Sequence, residues 1–351
     1  MMSGGGDEIA TPSIRRLRRL VTLLVVVAVL LFAWTHRSAP TLPGFADDLG
    51  LLAELPERVA TGGWWPDLAS RLVGPLWPQS TMWRPLPYAS FMFDALLWGG
   101  AAGGWHLTNL LLHLASAALV GLLARDLSLN LYRQSAKGSP GDDASATTAA
   151  TVSGALSFAL FLLCPWAPEV TLWLVGRFDG WATLWALLAV WTGLRGGVGT
   201  FPAAISVLAA ALAYASKESA LILVPWLAIV ALFATPWRSA TPEATSAGRR
   251  RWTLLIVAHL LLALAYASWR HHLFVGTAAA VYGSAPVTSL PRWVQQFAAQ
   301  LAFPMGLASL ASPAAVLSAG SAGLLLVMGW RDRLVLRVRL LGLAMAAGVV
   351  A

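Results

Sequence analysis

The stretch LVTLLVVVAVLLFAW, Leu20–Trp34, holds no charged residue, and apolar runs of this kind recur along the whole chain. A helix needs about 20 apolar residues to cross the hydrocarbon core of a bilayer. Inside that core each backbone N–H and C=O must find a partner within its own segment, which selects helices for runs this long. Composition agrees: 58% of the 351 residues are hydrophobic and 11% are charged, against about 25% charged in soluble domains. The chain therefore reads as an all-α polytopic bundle in one transmembrane domain, residues 1–351, with no internal repeat. A net charge of +8 would suit nucleic acid, but its placement argues for no nucleic acid partner. Arginines gather at RRLRR (Arg15–Arg19), at Arg249–Arg251 and at Arg331–Arg339, each beside an apolar run. That is the pattern of the positive-inside rule. A single cysteine, Cys164, excludes an internal disulfide.

Arginine placement orients the spans. Residues 1–19 form a cytoplasmic tail, and the first span, an uncleaved helix, covers about 20–35. A first external loop at 36–100 comes next, whose segment PYASFMFDALLWGG predicts an amphipathic helix lying on the membrane. Further spans are expected near 103–124, 152–165, 179–194, 198–215, 219–235, 252–269 and 313–330, with a ninth from about 334. The polar, Ser- and Gly-rich segment 125–151 reads as a flexible cytoplasmic loop, and 270–311 as an external loop. The apolar run at the end leaves open a truncation of the domain at its C-terminus.

This layout sends the chemistry-bearing side chains to one face. GFADDLG places Asp47 and Asp48 just outside the first span, where a carboxylate could act as a general base or merely solvate a loop. Arg84 in MWRPLPY offers a fork of donors matched to phosphate, or anchors the interface beside Trp83. In GWHLTNLLLHL, the residues His106, Asn109 and His113 fall at i, i+3 and i+7, on one helical face. They could line a cavity or bond between helices. No third ligand of matching spacing makes them a metal site, though a divalent cation stays open. PWAPEVTLWLVGRFDG gathers Glu169, Arg177 and Asp179 in a short turn, where a mutual ion-pair network is the plain alternative to a site. Lys217 and Glu218 stand at a helix mouth in AYASKESALILVP, either as a pair or as a ligand site. Arg270, His271 and His272 add a basic group to the same side. No Walker A loop, glycine-rich nucleotide fingerprint, HExxH or GxSxG is present.

Taken in order, GFADDLG, WRPLPYASFMFDALLWGGAAGGWHLTNLLLHL, PWAPEVTLWLVGRFDG and AYASKESALILVP resemble the polytopic GT-C glycosyltransferases. The likeness is greatest to the branch of the transmembrane and tetratricopeptide-repeat O-mannosyltransferases and their bacterial relatives. It spans roughly residues 44–225 and extends more loosely through YASWRHH and WVQQFAAQLAFPMG to about 306. The pattern departs at CPWAPE, where Cys164 stands in place of a common histidine, and no repeat domain follows. The resemblance implies an integral-membrane glycosyltransferase of the cell membrane, multi-pass, with its N-terminus cytoplasmic and its site external. Its donor would be a polyprenyl-phosphate sugar and its acceptor a hydroxyl of a protein, lipid or glycan, with inversion at the anomeric carbon.

On this expectation Asp47 is the base, with Asp48 as second choice or orienting partner. Arg84, Arg177, Lys217 and Arg270 would hold the donor phosphate. Glu169, Asp179, Glu218, Asn109 and His113 would position those groups or the acceptor. A phosphate held by cations leaves without a general acid, because fixed positive charge stabilises the charge that develops on it. The other class open to the sequence is a transporter or flippase for a lipid-linked or anionic solute. Polar groups gathered at one face, rather than at the midplane of repeated broken helices, disfavour it.

Overall fold

The computed structural model describes residues 12–44, 47–77, 80–135, 142–164, 167–196, 200–234 and 242–274. The expected spans at 313–330 and beyond 334, and nearly all of the expected loop 270–311, lie outside them. The described residues form helices α1 (Pro12–Thr35), α2 (Asp47–Ala60), α3 (Trp64–Val73), α4 (Pro85–Trp98), α5 (Ala102–Ser135) and α6 (Asp142–Leu162). After these come α7 (Ala167–Thr171), α8 (Arg177–Gly196), α9 (Thr200–Tyr214), α10 (Leu223–Ala234) and α11 (Pro242–Phe274). Short 3₁₀ turns stand at Ala39–Thr41, Leu174–Gly176 and Glu218–Ile222, and no strand occurs among the described residues.

Among the described residues four segments are long and apolar enough to cross a membrane: Arg15–Thr41, Ala102–Tyr132, Asp143–Leu162 and Ser246–Phe274. The apolar helices Thr200–Tyr214 and Glu218–Ala231 are shorter. At about 1.5 Å per residue, the 15 residues of α9 reach less far than a hydrocarbon core of about 30 Å. Apolar content marks both, but length separates them from the four.

The chain divides into two compact units. The first holds residues 1–38 and 117–164. Within it α1 packs on α6, and α5 and α6 approach closely at paired glycines. A Cβ on Gly154 would sit 2.8 Å from the Gly121 carbonyl oxygen, and one on Gly121 3.0 Å from that of Gly154. Small residues that let two backbones meet are how apolar helices gain contact without a hydrophobic driving force. A hydroxyl bond from Ser128 to Ser153, 2.9 Å, adds to the seam. The expected loop at 125–151 is mostly helix instead, since α5 runs on to Ser135 and α6 begins at Asp142. Leu127, Leu131, Ala146 and Ala150 are buried along these extensions, so the polar sequence is that of a helix with one packed face.

The second unit holds residues 39–116 and 165–351. In it α2, α3 and α4 close around Leu51, Leu55, Leu76, Phe91 and Trp105, with Leu174 from the 3₁₀ turn. Asp67 ties the three together. It accepts from Arg58 at 2.6 Å, from Arg71 at 3.3 Å and from the Tyr88 hydroxyl. Burial, followed by the neighbouring Asp67 carboxylate, lifts the Tyr88 phenol well above its ordinary range. The remainder is built on the pair α8–α9, with α10 and α11 against it.

Helix α4 forms in the segment expected to be a surface helix. Pro85 and Pro87 sit in its first turn, where a missing N–H is harmless, and Gly99 ends it at φ +55°. Its buried side carries Tyr88 and Asp94, while Phe93, Leu96, Leu97 and Trp98 are exposed. Phe91, Met92 and Ala95 are buried beside Tyr88 and Asp94, so apolar residues lie on both the packed and the exposed sides of this helix.

The glycine seam yields a direct expectation. Gly154→Val should lower the melting temperature of the detergent-solubilised protein, because overpacking costs about 1–3 kcal/mol. Val152→Ala, on the same helix, should leave it nearly unchanged. Equal stability of Gly154→Val and the parent chain would contradict the close approach.

Candidate functional site

The turn between α7 and α8, where the sequence reads TLWLVGRFD, is held from three directions. From α5, the Asn109 amide donates to the carbonyls of Val170 (3.0 Å), Trp173 (3.0 Å) and Leu174 (3.3 Å). From α2, Asp48 is fully buried and accepts the Leu174 and Val175 N–H groups at 3.2 and 3.0 Å. From α8 itself, Arg177 turns inward. Its Nε donates to the Asn109 side-chain Oδ1 at 2.7 Å and its Nη2 to the Trp105 backbone carbonyl at 2.7 Å. The same guanidinium pairs with Asp94 of α4 at 2.6 Å and lies over the Phe91 ring. Gly176 is required where it stands, since a Cβ there would fall 2.2 Å from the Glu169 carbonyl oxygen.

Arg177 is therefore a core residue. Its side chain has no exposed surface, so a ligand phosphate has no donor of it to reach. Burial drives both partners toward their neutral forms, Asp94 up and Arg177 down, and the attraction between them opposes this. Asp94, which the sequence does not single out, also accepts from the Thr108 hydroxyl at 2.8 Å. The stripe His106, Asn109, His113 is buried throughout, and Asn109 acts in it as a clamp on the backbone. The adjacent acids part company here. Asp48 is an internal cap, whereas Asp47 is exposed in the first turn of α2.

The same turn carries Phe178 and Asp179 toward a second, more open group of charges. Leu86 N–H bonds to the Ala215 carbonyl at 3.2 Å and brings the start of α4 to the end of α9. Arg84, over the Phe178 ring, donates to Glu218 at 2.8 and 3.4 Å. Arg270 reaches the same carboxylate at 3.2 Å, the Thr81 carbonyl at 3.0 Å and the Tyr266 hydroxyl at 3.3 Å. Lys217 pairs with Asp179 at 2.5 Å. Two sequence expectations are corrected. Lys217 and Glu218 are not paired with each other, because Lys217 takes extended backbone angles ahead of the 3₁₀ turn and the two side chains find different partners. Glu169, Arg177 and Asp179 make no mutual network either: Arg177 turns into the core, Asp179 outward to Lys217, and Glu169 is exposed.

Three cations, Arg84, Lys217 and Arg270, thus meet two carboxylates, Asp179 and Glu218, which leaves one positive charge in excess. Lys217 keeps 26% of its side chain exposed and Arg270 28%. Aromatic rings border the group. Trp83 contacts Tyr266 and Trp269 at centroid distances of 6.0 and 6.4 Å, and Tyr266 stacks on Tyr214 at 5.3 Å. Trp83, Tyr266 and Trp269 are not among the site residues expected from sequence. The i, i+3, i+4 spacing of Tyr266, Trp269 and Arg270 is the signal that could have found them. Among the described residues no group of three His, Cys, Asp or Glu side chains converges as a metal site. Comparisons with protein-family models, with curated proteins and with solved structures find no match.

The two charge groups should respond differently to mutation. Arg177→Met leaves the buried Asp94 without its cation and should lower unfolding free energy by about 3–5 kcal/mol. Lys217→Met, at a half-open pair, should lower it by less than about 1 kcal/mol. Denaturant titration in detergent measures both, and similar losses would contradict the division into core and open group. Asp48→Asn should likewise destabilise the protein, whereas Asp47→Asn should not.

Proposed function

We propose that this chain is an integral-membrane glycosyltransferase, moving a sugar from a polyprenyl-phosphate-linked donor to an acceptor hydroxyl with inversion. The observation that carries the reading is the open group Arg84, Lys217, Arg270, Glu218 and Asp179, cationic by one charge and bordered by aromatic rings. It sits at the end of apolar helices, where a ligand with a charged head and a hydrocarbon tail can satisfy both surroundings at once. The ordered motifs of the GT-C resemblance point to the same residues.

In this reading Arg84, Lys217 and Arg270 bind the donor phosphate, and Glu218 and Asp179 hold them in place until it arrives. Arg177, Asn109 and Asp48 shape the turn and do not touch the donor. Asp47, exposed in the first turn of α2, takes the acceptor's proton. As the glycosidic bond breaks, negative charge grows on the phosphate, and cations fixed beforehand stabilise it without reorganising. Trp83 and Trp269 offer apolar faces for the sugar or the first isoprene units. The topology that belongs to this proposal has nine spans, a cytoplasmic N-terminus and the charged group on the external face.

Transfer assays with a polyprenyl-phosphate sugar test the reading. Asp47→Asn should lower turnover by about 10²–10⁴-fold while donor binding and melting temperature hold. Arg84→Gln should weaken donor binding as well as turnover. Vesicle-based flux of the lipid-linked sugar without hydrolysis or transfer would favour a flippase and reject the enzyme. Full turnover in Asp47→Asn would remove its role as base.

A further inference from the structure

At the end of the second unit far from the charged group, α8, α9 and α11 leave a cavity of about 400 Å³. Gly193, Ala204, Val207, Leu254 and Ala258 form its walls and Arg251 stands among its lining residues. The distance along the helices is set by their lengths: α9 runs from the cavity at Thr200 to Tyr214, which stacks on the Tyr266 that Arg270 donates to, about 21 Å at 1.5 Å per residue. Ala204 and Leu254 are exposed, so the cavity opens sideways, toward whatever surrounds the helices. Arg249, Arg250 and Arg251 are exposed on α11, and Arg195 is exposed on the last turn of α8 over the Trp191 ring at 4.3 Å. The stretches 189–195, 200–207 and 246–258, which supply the lining residues, contain no acidic residue and are net positive.

An apolar recess open to hydrocarbon fills with chain rather than water, because water there would lack polar partners. Basic groups where helices end near a membrane surface attract anionic head groups, by roughly fivefold in affinity per residue in contact. We propose that this recess binds one anionic phospholipid, its acyl chain between α9 and α11 and its phosphate at Arg251, with Arg249 and Arg250 adding positive charge at the same helix end. The lipid belongs to the leaflet that this basic end faces. It is separate from the donor, whose proposed phosphate site lies at the other end of the same helices, and the inference requires the membrane setting but not the transferase reading.

Native mass spectrometry of the full chain, released from vesicles of equal parts phosphatidylglycerol and phosphatidylcholine, tests it. The parent chain should retain one phosphatidylglycerol in clear preference to phosphatidylcholine. Arg249, Arg250 and Arg251→Gln should erase the preference, falling roughly fivefold per arginine that makes contact, and the same three →Lys should keep most of it. Ala204→Phe with Ala258→Phe should eject the retained lipid, while Leu260→Phe, on α11 away from the walls, should not. Circular dichroism reports whether the Phe variant folds, and if it does not, the Gln and Lys variants decide alone. Equal retention of both lipids by the parent chain, or a phosphatidylglycerol preference that survives the Gln substitutions, overturns the proposal.

Discussion

A guanidinium moved out of water loses several kcal/mol of solvation unless its charge and its N–H groups are all met. Arg177 is wholly buried, and the second unit is arranged to meet it: Asp94 from α4, Asn109 and the Trp105 carbonyl from α5, with the Phe91 ring beneath. Each of those partners is thereby fixed relative to the start of α8. Asn109 then has its amide N–H groups aimed at the carbonyls of the preceding turn, and Asp48 takes two N–H groups of the same turn. A segment with no regular ladder of its own is so supplied with partners for its backbone, as any buried backbone must be.

The fixed turn sets the position of its neighbours. Phe178 and Asp179 leave it in defined directions, one under Arg84 and the other toward Lys217. The open charge group therefore rests on a closed one. The closed group is buried and paired within itself; the open group keeps exposed surface and an excess cation. In the proposed function this separation lets a ligand phosphate exchange partners with Glu218 and Asp179 while the scaffold stays intact.

Much of this is legible in the sequence, and the remainder is hidden for identifiable reasons. Apolar runs and flanking arginines mark helices in nearly the right places. The i, i+3, i+7 stripe puts His106, Asn109 and His113 on one buried face. Periodicity says which residues share a face, though, and not what stands opposite. Asp47 and Asp48 are neighbours of one chemistry, and only the fold distinguishes the internal cap from the exposed acid. Lys217 and Glu218 look like a pair because they adjoin, yet their partners lie 38 and 134 residues away. Asp94 does not stand out in sequence because the partner that accounts for it, Arg177, comes from a different helix. The segment 125–151 reads as a loop because its polarity resembles that of a linker, when one face of each helix is buried there.

The open group, in the proposed function, is a site for a lipid-linked phosphate, and it rests on a core that is not. Direct binding of a polyprenyl phosphate, compared with the polyprenol that lacks the phosphate, measures this without reference to turnover. The expected result is saturable binding of the phosphate, much weaker binding of the alcohol, and loss of the difference in Arg84→Gln. Equal binding of phosphate and alcohol, or a phosphate preference untouched by Arg84→Gln and Arg270→Gln together, would contradict it.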